Sequence, residues 1–398
     1  MKRIFLFSFL FIYILSAPLN ILNDSIGHGQ IFVTEKCSLF YILYGARDKN
    51  PRKEIPLTIY FNGGPGFSSM FNVIGGVGPF RLDQDENLIF NNDSLNLISD
   101  LLFIEQPIGT NGLSPCSEIN DLPTSEDIMV EHLYRFFPQF YALYPQYLNI
   151  STYIVAESFA GHLVPKFLQK VYSSEYKQLK IISIMFLAPF VSPKVQFASF
   201  SRYAAWKFRP KMSDYMNVLG NDLSSFVMLK AKRYRAAYDF FVKSYKKLND
   251  GKMRDFTMYN INEKCEGEFT CSNLDYVDKY FNKPQVQSRL GIDTTFSVRT
   301  LDMRYRILPT FYRYNSEIYD ELLSKYNISI SILIGQNDFI INILGELSWI
   351  KDLKYYKEND GKNSRYMNYQ KSMTPYYKKS IGSKLSIYKI DDCGHLMG

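Results

Sequence analysis

The chain predicts an α/β fold, a mixed sheet covered by helices on both faces, and three observations carry that reading. Strand-like apolar runs alternate with helical stretches along most of the 398 residues. Several runs end in glycine-rich or small-residue turns, at 62–66, around Ser158 and at 335–337. Apolar residues make up 46% of the chain, with no low-complexity tract or internal repeat, which suffices to bury a large core.

The runs fall at 31–33, 39–44, 57–61, 101–105, 152–156, 181–187, 328–334 and 385–390. The amphipathic stretch from Ile128 to Tyr147 predicts a helix, and a second helix follows Ser158. From about Ser192 to Asn282 the pattern turns helical, aromatic and charged. This segment, 192–282, reads as an insertion that roofs a core formed by 18–191 and 283–398.

Met1 to Ala17 carries Lys2 and Arg3, an apolar run from Ile4 to Leu15, and small Ser16 and Ala17, the pattern of a cleaved secretory signal. The run is shorter than the roughly 18 apolar residues of a membrane anchor, and no later segment is long and apolar enough to span a bilayer. The secretory route, ending in a lysosome, a vacuole or outside the cell, would expose Asn-x-Ser sites at Asn23, Asn92, Asn149 and Asn327 to glycosylation. Five cysteines are too few for a disulfide scaffold. Cys265 and Cys271, flanking Gly267, suit a local bridge, which leaves Cys37, Cys116 and Cys393 with at least one free thiol. Neither a CxxC pair nor an HExxH helix is present, so no metal is expected, and no cofactor is implied. The net charge of +7 is spread along the chain. Its densest run, Lys230 to Lys247, interleaved with Tyr234, Tyr238, Phe240 and Phe241, reads as a solvated helix face rather than a nucleic-acid surface.

The chemistry-bearing segment is Tyr153 to His162, which places Ser158 between an apolar run and a helix, with Ala156 and Ala160 two positions away on either side. Small neighbours let a strand turn sharply into a helix with the serine at the apex, and the helix aims its first amides at developing negative charge. On these ten residues alone Ser158 could still be a surface turn serine; its partners decide. A serine hydroxyl needs a base, and the base needs an orienting carboxylate. The chain has only four histidines. His28 lies near the amino end, His132 lies in the amphipathic stretch, and His162 sits four residues past the serine, where packing or capping is its expected role. His395 remains, just beyond the run at 385–390, and Asp338 has the same placement after the run at 328–334. The order Ser, Asp, His is that of α/β-hydrolase triads. The loop Asn62-Gly63-Gly64-Pro65-Gly66 follows the strand-like run at 57–61 and offers backbone amides for an oxyanion. It lacks the Lys-Ser or Lys-Thr of a phosphate loop.

From Gly27 to its end the chain resembles the serine carboxypeptidases of the carboxypeptidase Y type. The resemblance rests on NGGPGFSS at 62–69, EQPIGT at 105–110, AESFAGHLVP at 156–165, CEGEFTC at 265–271, GQNDFIINILG at 335–345 and CGHL at 393–396. It implies an α/β-hydrolase fold with a helical lid insertion. It also implies Ser158 as nucleophile, His395 as base and acid, Asp338 as orienting group, and the amides of Gly64 and Phe159 as oxyanion donors. Asn62, the Gly63 amide and the Glu157 carboxyl would bind the free carboxylate of a peptide, and Cys265 and Cys271 match a family pair. The implied activity is removal of the last residue of peptides and proteins through an acyl-enzyme, with peptide carboxyl termini as partners and self-association into a homodimer left open. An acyltransferase or esterase on the same scaffold, or a secreted binding protein with an impaired site, are the alternatives.

Three departures sharpen the expectations. Gly76 stands where the family has a second glutamate paired with the Glu157 position, which predicts weaker recognition of the terminal carboxylate and an optimum less acidic than is usual in the family. Phe67 replaces a cysteine after NGGPG, and its partner near 295–300 is missing too. The sequence also ends at Gly398, soon after CGHL, so His395 is expected to be loosely held.

Overall fold

Ten strands hydrogen-bond into one mixed sheet. They are β1 (Ser25–Phe32), β2 (Ser38–Tyr44), β3 (Leu57–Phe61), β4 (Asp100–Glu105), β5 (Thr152–Glu157), β6 (Ile181–Leu187), β7 (Ser329–Gly335), β8 (Ser364–Tyr369), β9 (Tyr376–Ile381) and β10 (Leu385–Ile390). Their spatial order is β1-β2-β4-β3-β5-β6-β7-β10-β9-β8. The six strands from β4 to β10 in that order run parallel, and antiparallel pairs close both ends of the sheet. This computed structural model describes residues 19–48, 54–174, 179–249, 256–264, 274–300, 302–313, 315–360, 364–369 and 376–396. The expected signal at 1–17 and the expected Cys265–Cys271 bridge lie outside those residues.

The runs of β2, β3 and β4 are nearly all apolar because both faces of the sheet are covered there. Side chains alternate across a strand. Leu39, Tyr41 and Leu43 of β2, with Leu57, Ile59 and Phe61 of β3, pack into one cluster with the helices Glu126–Leu143 and Ala160–Ser173. Phe40, Ile42 and Tyr44, with Tyr60 and Phe103, pack into the other, against the helix Met70–Gly75 and the segment 274–298. The helix expected at 128–147 starts instead at Glu126, because the Ser125 hydroxyl accepts the Ile128 amide and caps it. It ends at Leu143, and a 3₁₀ turn, Pro145–Tyr147, completes the stretch.

Two parts of the sheet differ from the sequence reading, and both lie at edges. β1 begins at Ser25, six residues before the run at 31–33, since an edge strand carrying Gly27 and Gly29 shows little apolar pattern. β8 and β9 were not anticipated at all. β9 is rich in Tyr and Lys, and charge on an edge hairpin hides the strand period while discouraging pairing with other chains.

Between β6 and β7 the helices Pro193–Phe197, Phe200–Phe208, Met212–Lys230 and Tyr234–Asn249 follow one another. The basic run on the last two is only half solvated, because Tyr238 and Phe241 turn inward and are buried. A disulfide joins Cys37 and Cys116 at the start of β2, which leaves Cys393, half-buried, as the free thiol among the described residues. The sequence left Cys37 and Cys116 unassigned because 79 positions separate them. No helix among the described residues is long and apolar enough to cross a membrane.

Candidate active site

Four loops meet at the carboxyl ends of parallel strands, the edge where open α/β sheets collect functional side chains. β3 leads into 62–66, β5 into Ser158, β7 into Asp338 and β10 into His395. Ser158 adopts φ +54°, a left-handed conformation that a serine holds only under constraint. The constraint is visible. The Ser158 amide donates to the Leu187 carbonyl at 2.9 Å, and its carbonyl accepts the amides of Phe190 at 2.8 Å and Gly161 at 2.9 Å. This is the strand-to-helix elbow expected at this position.

Gly63 lies directly against the elbow: a Cβ there would sit 2.6 Å from the Ser158 Cβ and 2.8 Å from the Glu157 carbonyl oxygen. Only glycine permits that approach, which brings the Gly64 and Phe159 amides beside the serine. Neither amide is engaged by an acceptor among the described residues. The loop is tied from behind, where the Asn62 side chain donates to the Ser68 carbonyl at 2.7 Å and Gln106 Nε2 donates to the Asn62 carbonyl at 2.7 Å. Phe67, at the place of the absent cysteine, forms an isolated antiparallel bridge with Arg299, so backbone pairing holds the two segments that a disulfide would have joined.

His395 Nδ1 lies 2.7 Å from Asp338 Oδ2, and the other Asp338 oxygen accepts the Ile341 amide at 2.9 Å. The expectation of a loosely held His395 is corrected here. Its ring is buried at 2% exposure, its amide donates to the Tyr259 carbonyl at 2.6 Å, and the Tyr259 ring stacks on it at 5.4 Å between centroids. The Asp338 loop is fastened to the same strand end, with the Asn337 amide donating to the Cys393 carbonyl at 2.8 Å. Burial by itself depresses the imidazole pKa, but the adjacent Asp338 carboxylate outweighs it and raises the pKa above the ordinary histidine range. The other histidines stand apart. His162 is fully buried between Glu126 Oε1 at 2.6 Å and the Arg313 carbonyl at 2.9 Å, as a packing residue, and His132 is buried in its helix.

Glu157 is buried, and burial raises its carboxyl pKa. Its Oε2 accepts the Tyr60 hydroxyl at 2.7 Å and the Asn72 amide at 3.3 Å, while Oε1 has no partner. Tyr60 and Asn72 escaped the sequence reading. Asn72 had one available signal, the glycine four residues on: a Cβ at Gly76 would lie 2.1 Å from Asn72 Oδ1, so the missing side chain makes the space that the amide fills. Among the described residues a neutral amide and a phenol, not a second carboxyl, hydrogen-bond Glu157.

Ser158, His395, Glu157, Asn62, Phe159 and Tyr259 line one cavity of about 580 Å³, and Asp338, Tyr60 and Asn72 are not among its lining residues. Ser158, His395, Glu157 and the loop 62–66 form its floor, while Tyr238, Phe241, Val242 and Lys246 from the helix Tyr234–Asn249 line it from the inserted segment.

Residues 21–398 match the profile of the family described as serine carboxypeptidase. The chain is 25% identical over 393 residues to serine carboxypeptidase 3 of Oryza sativa, covering 94% of this chain and 76% of the relative. To carboxypeptidase Y of Candida albicans it is 27% identical over 341 residues, covering 81% and 61%. A prohormone-processing carboxypeptidase from Saccharomyces cerevisiae shares the fold with a TM-score of 0.80 at 19% identity, over 93% of this chain and 87% of that one.

A methyl group at residue 63 should push the loop off the elbow. Gly63→Ala is therefore expected to lower kcat by about a hundredfold, the scale of losing one oxyanion donor. Turnover measured beside a thermal melt checks it. Unchanged kcat would show that the close approach is not needed.

Proposed function

Because the chain belongs to the serine carboxypeptidase family, we propose that this cavity removes the last residue of peptides and proteins through an acyl-enzyme, with Ser158, His395 and Asp338 as its triad. The observation that carries the reading is the buried His395–Asp338 pair at 2.7 Å, in the same cavity as a serine on a strained elbow. Asp338 fixes the tautomer that carries its proton on Nδ1, so Nε2 is the atom that takes the Ser158 proton. The alkoxide oxygen attacks the final peptide carbonyl, and the Gly64 and Phe159 amides receive the oxyanion. The imidazolium gives its proton to the leaving amine, and water repeats the sequence on the ester. The helices in 192–282 act as the lid, which supplies the apolar wall against the substrate.

Glu157, Asn62 and the Gly63 amide bind the free carboxylate. An anionic terminus can hydrogen-bond Glu157 only while Glu157 is protonated, and its unpartnered Oε1 is the oxygen that would carry the proton. The alternative of an impaired binding protein finds no support in a site with its histidine and aspartate paired. The apolar leader from Ile4 to Leu15, the Cys37–Cys116 disulfide, and the exposed Asn92, Asn149 and Asn327, with Asn23 half-buried, support the secretory route.

A fluorophosphonate probe should label the wild type and not Ser158→Ala, and the wild type should release free amino acid from a peptide terminus. A labelled Ser158→Ala would assign the nucleophile elsewhere. In pH dependence the signs oppose. As pH rises through the raised Glu157 pKa the proton donor disappears, two anions face each other, and KM for a free-acid peptide climbs. As pH falls through the raised His395 pKa the base is protonated, and kcat drops. Glu157→Gln keeps an N–H donor at every pH, so its KM is expected to stay flat from about pH 4 to about pH 8 while the kcat limb persists. A mutant KM that still rises with pH would remove Glu157 from carboxylate binding. With Asn72 in place of a second acid, the preference for free-acid over amidated peptide rests on the Glu157 proton alone and should weaken as pH rises toward about 8; a preference unchanged between about pH 4 and about pH 8 would refute that. For the secretory reading, the mature protein should begin near Pro18 and lose mass on deglycosylation; an intact Met1 with no glycan would contradict it.

A further inference from the structure

The cavity wall carries an unbalanced charge. Arg299, Arg304 and Lys246 line it, and Glu157 is the one acidic residue among its lining groups. Arg304, on the short helix Asp302–Arg306, is half-buried and lines the cavity that also holds Ser158 and His395. Its Nη2 donates to the Gly64 carbonyl at 3.0 Å, and its Nη1 donates to the Tyr238 hydroxyl at 2.9 Å. Both acceptors are neutral. Its Nε is buried with no partner, and no carboxylate among the described residues pairs with it. A guanidinium withdrawn from water without an acid is costly, and a ligand that brings its own carboxylate relieves the cost.

Resting on the carboxypeptidase reading, we propose that Arg304 is a specificity residue selecting peptides with an acidic side chain beside the scissile bond. Nη2 bonds the carbonyl of Gly64, the residue whose amide is proposed to receive the oxyanion, so the guanidinium is tied to the loop that would face the scissile carbonyl. Three of its five N–H groups remain uncommitted, enough for a charge-assisted contact with a Glu or Asp carboxylate. Lys246, exposed and further along the same face of the helix that carries Tyr238, extends the positive wall outward. The apolar side of the cavity, with Phe190, Phe197 and Phe311, offers neutral residues no comparable polar contact.

The test compares kcat/KM for blocked peptides that differ only by Glu, Gln or Lys, placed in turn at the last and the next-to-last position, near pH 6.5. Glu is expected to exceed Gln at one of the two positions by about tenfold to a hundredfold, the range of a hydrogen bond to a charged group. The ratio should shrink as the substrate side chain protonates below about pH 4.3. Arg304→Met should bring the Glu/Gln ratio near one, and Arg304→Lys should retain part of it. If Arg304 were only a strut between Gly64 and Tyr238, both substrates would suffer alike and the wild-type ratio would be near one, which overturns the proposal. A Glu preference that survives Arg304→Met also overturns it. Failure of every peptide to release an amino acid sinks the carboxypeptidase reading itself, whereas normal release without a Glu preference sinks this inference alone.

Discussion

Contact between the Gly63 backbone and the turn at Ser158 is the constraint from which the rest of the site follows. β3 and β5 are neighbours in the parallel sheet, so their carboxyl ends emerge side by side. A loop leaving β3 can present amides to the serine only if nothing intervenes, and at 2.6 Å even a methyl group would. The elbow in turn must project its serine toward that loop, which requires φ +54° and the three backbone bonds that hold it. Neither piece makes a site alone. Together they fix a hydroxyl beside unengaged amides before any substrate arrives, which is the preorganisation that electrostatic catalysis needs.

How the Glu157 pocket stays acidic without a second carboxyl is a question of burial against hydrogen bonding. Burial pushes the Glu157 pKa up, and the donors Tyr60 and Asn72 pull it down, with burial prevailing. A second buried acid would have raised it by repulsion or by sharing a proton. An amide cannot. The position therefore depends on desolvation, and anything that admits water to it, such as an open lid, would let Glu157 ionise more readily.

β2, β3 and β4 were legible because they are buried on both faces and carry near-continuous apolar runs, β7 and β10 because they alternate, and the positions of Ser158, Asp338 and His395 because turn residues follow three strand-like runs. The edges were not. β1 is mostly half exposed and carries Gly27 and Gly29, and β9 carries Tyr and Lys, so periodicity marks neither. At the site, the contacts of Tyr60, Asn72, Tyr259 and Arg304 were hidden because each is made with a neighbour far away in the chain. His395 shows the same limit in reverse: the sequence next to it says nothing of the clamp from Tyr259, more than a hundred positions earlier.

Charge in the cavity serves two ends that conflict. Cations near the serine favour a tetrahedral oxyanion, yet the same field opposes protonation of the imidazole that, in the proposed mechanism, takes the serine proton. Arg304 does lower the His395 pKa, but from a distance, whereas Asp338 touches the ring at 2.7 Å. Coulomb energy falls with separation, so the near carboxylate outweighs the farther guanidinium, and the imidazole pKa ends above its ordinary value. The site can thus carry a positive wall suited to anionic intermediates and still keep a competent base. The close Asp338–His395 pair makes that combination tolerable, and a longer bond there would leave Arg304 a liability.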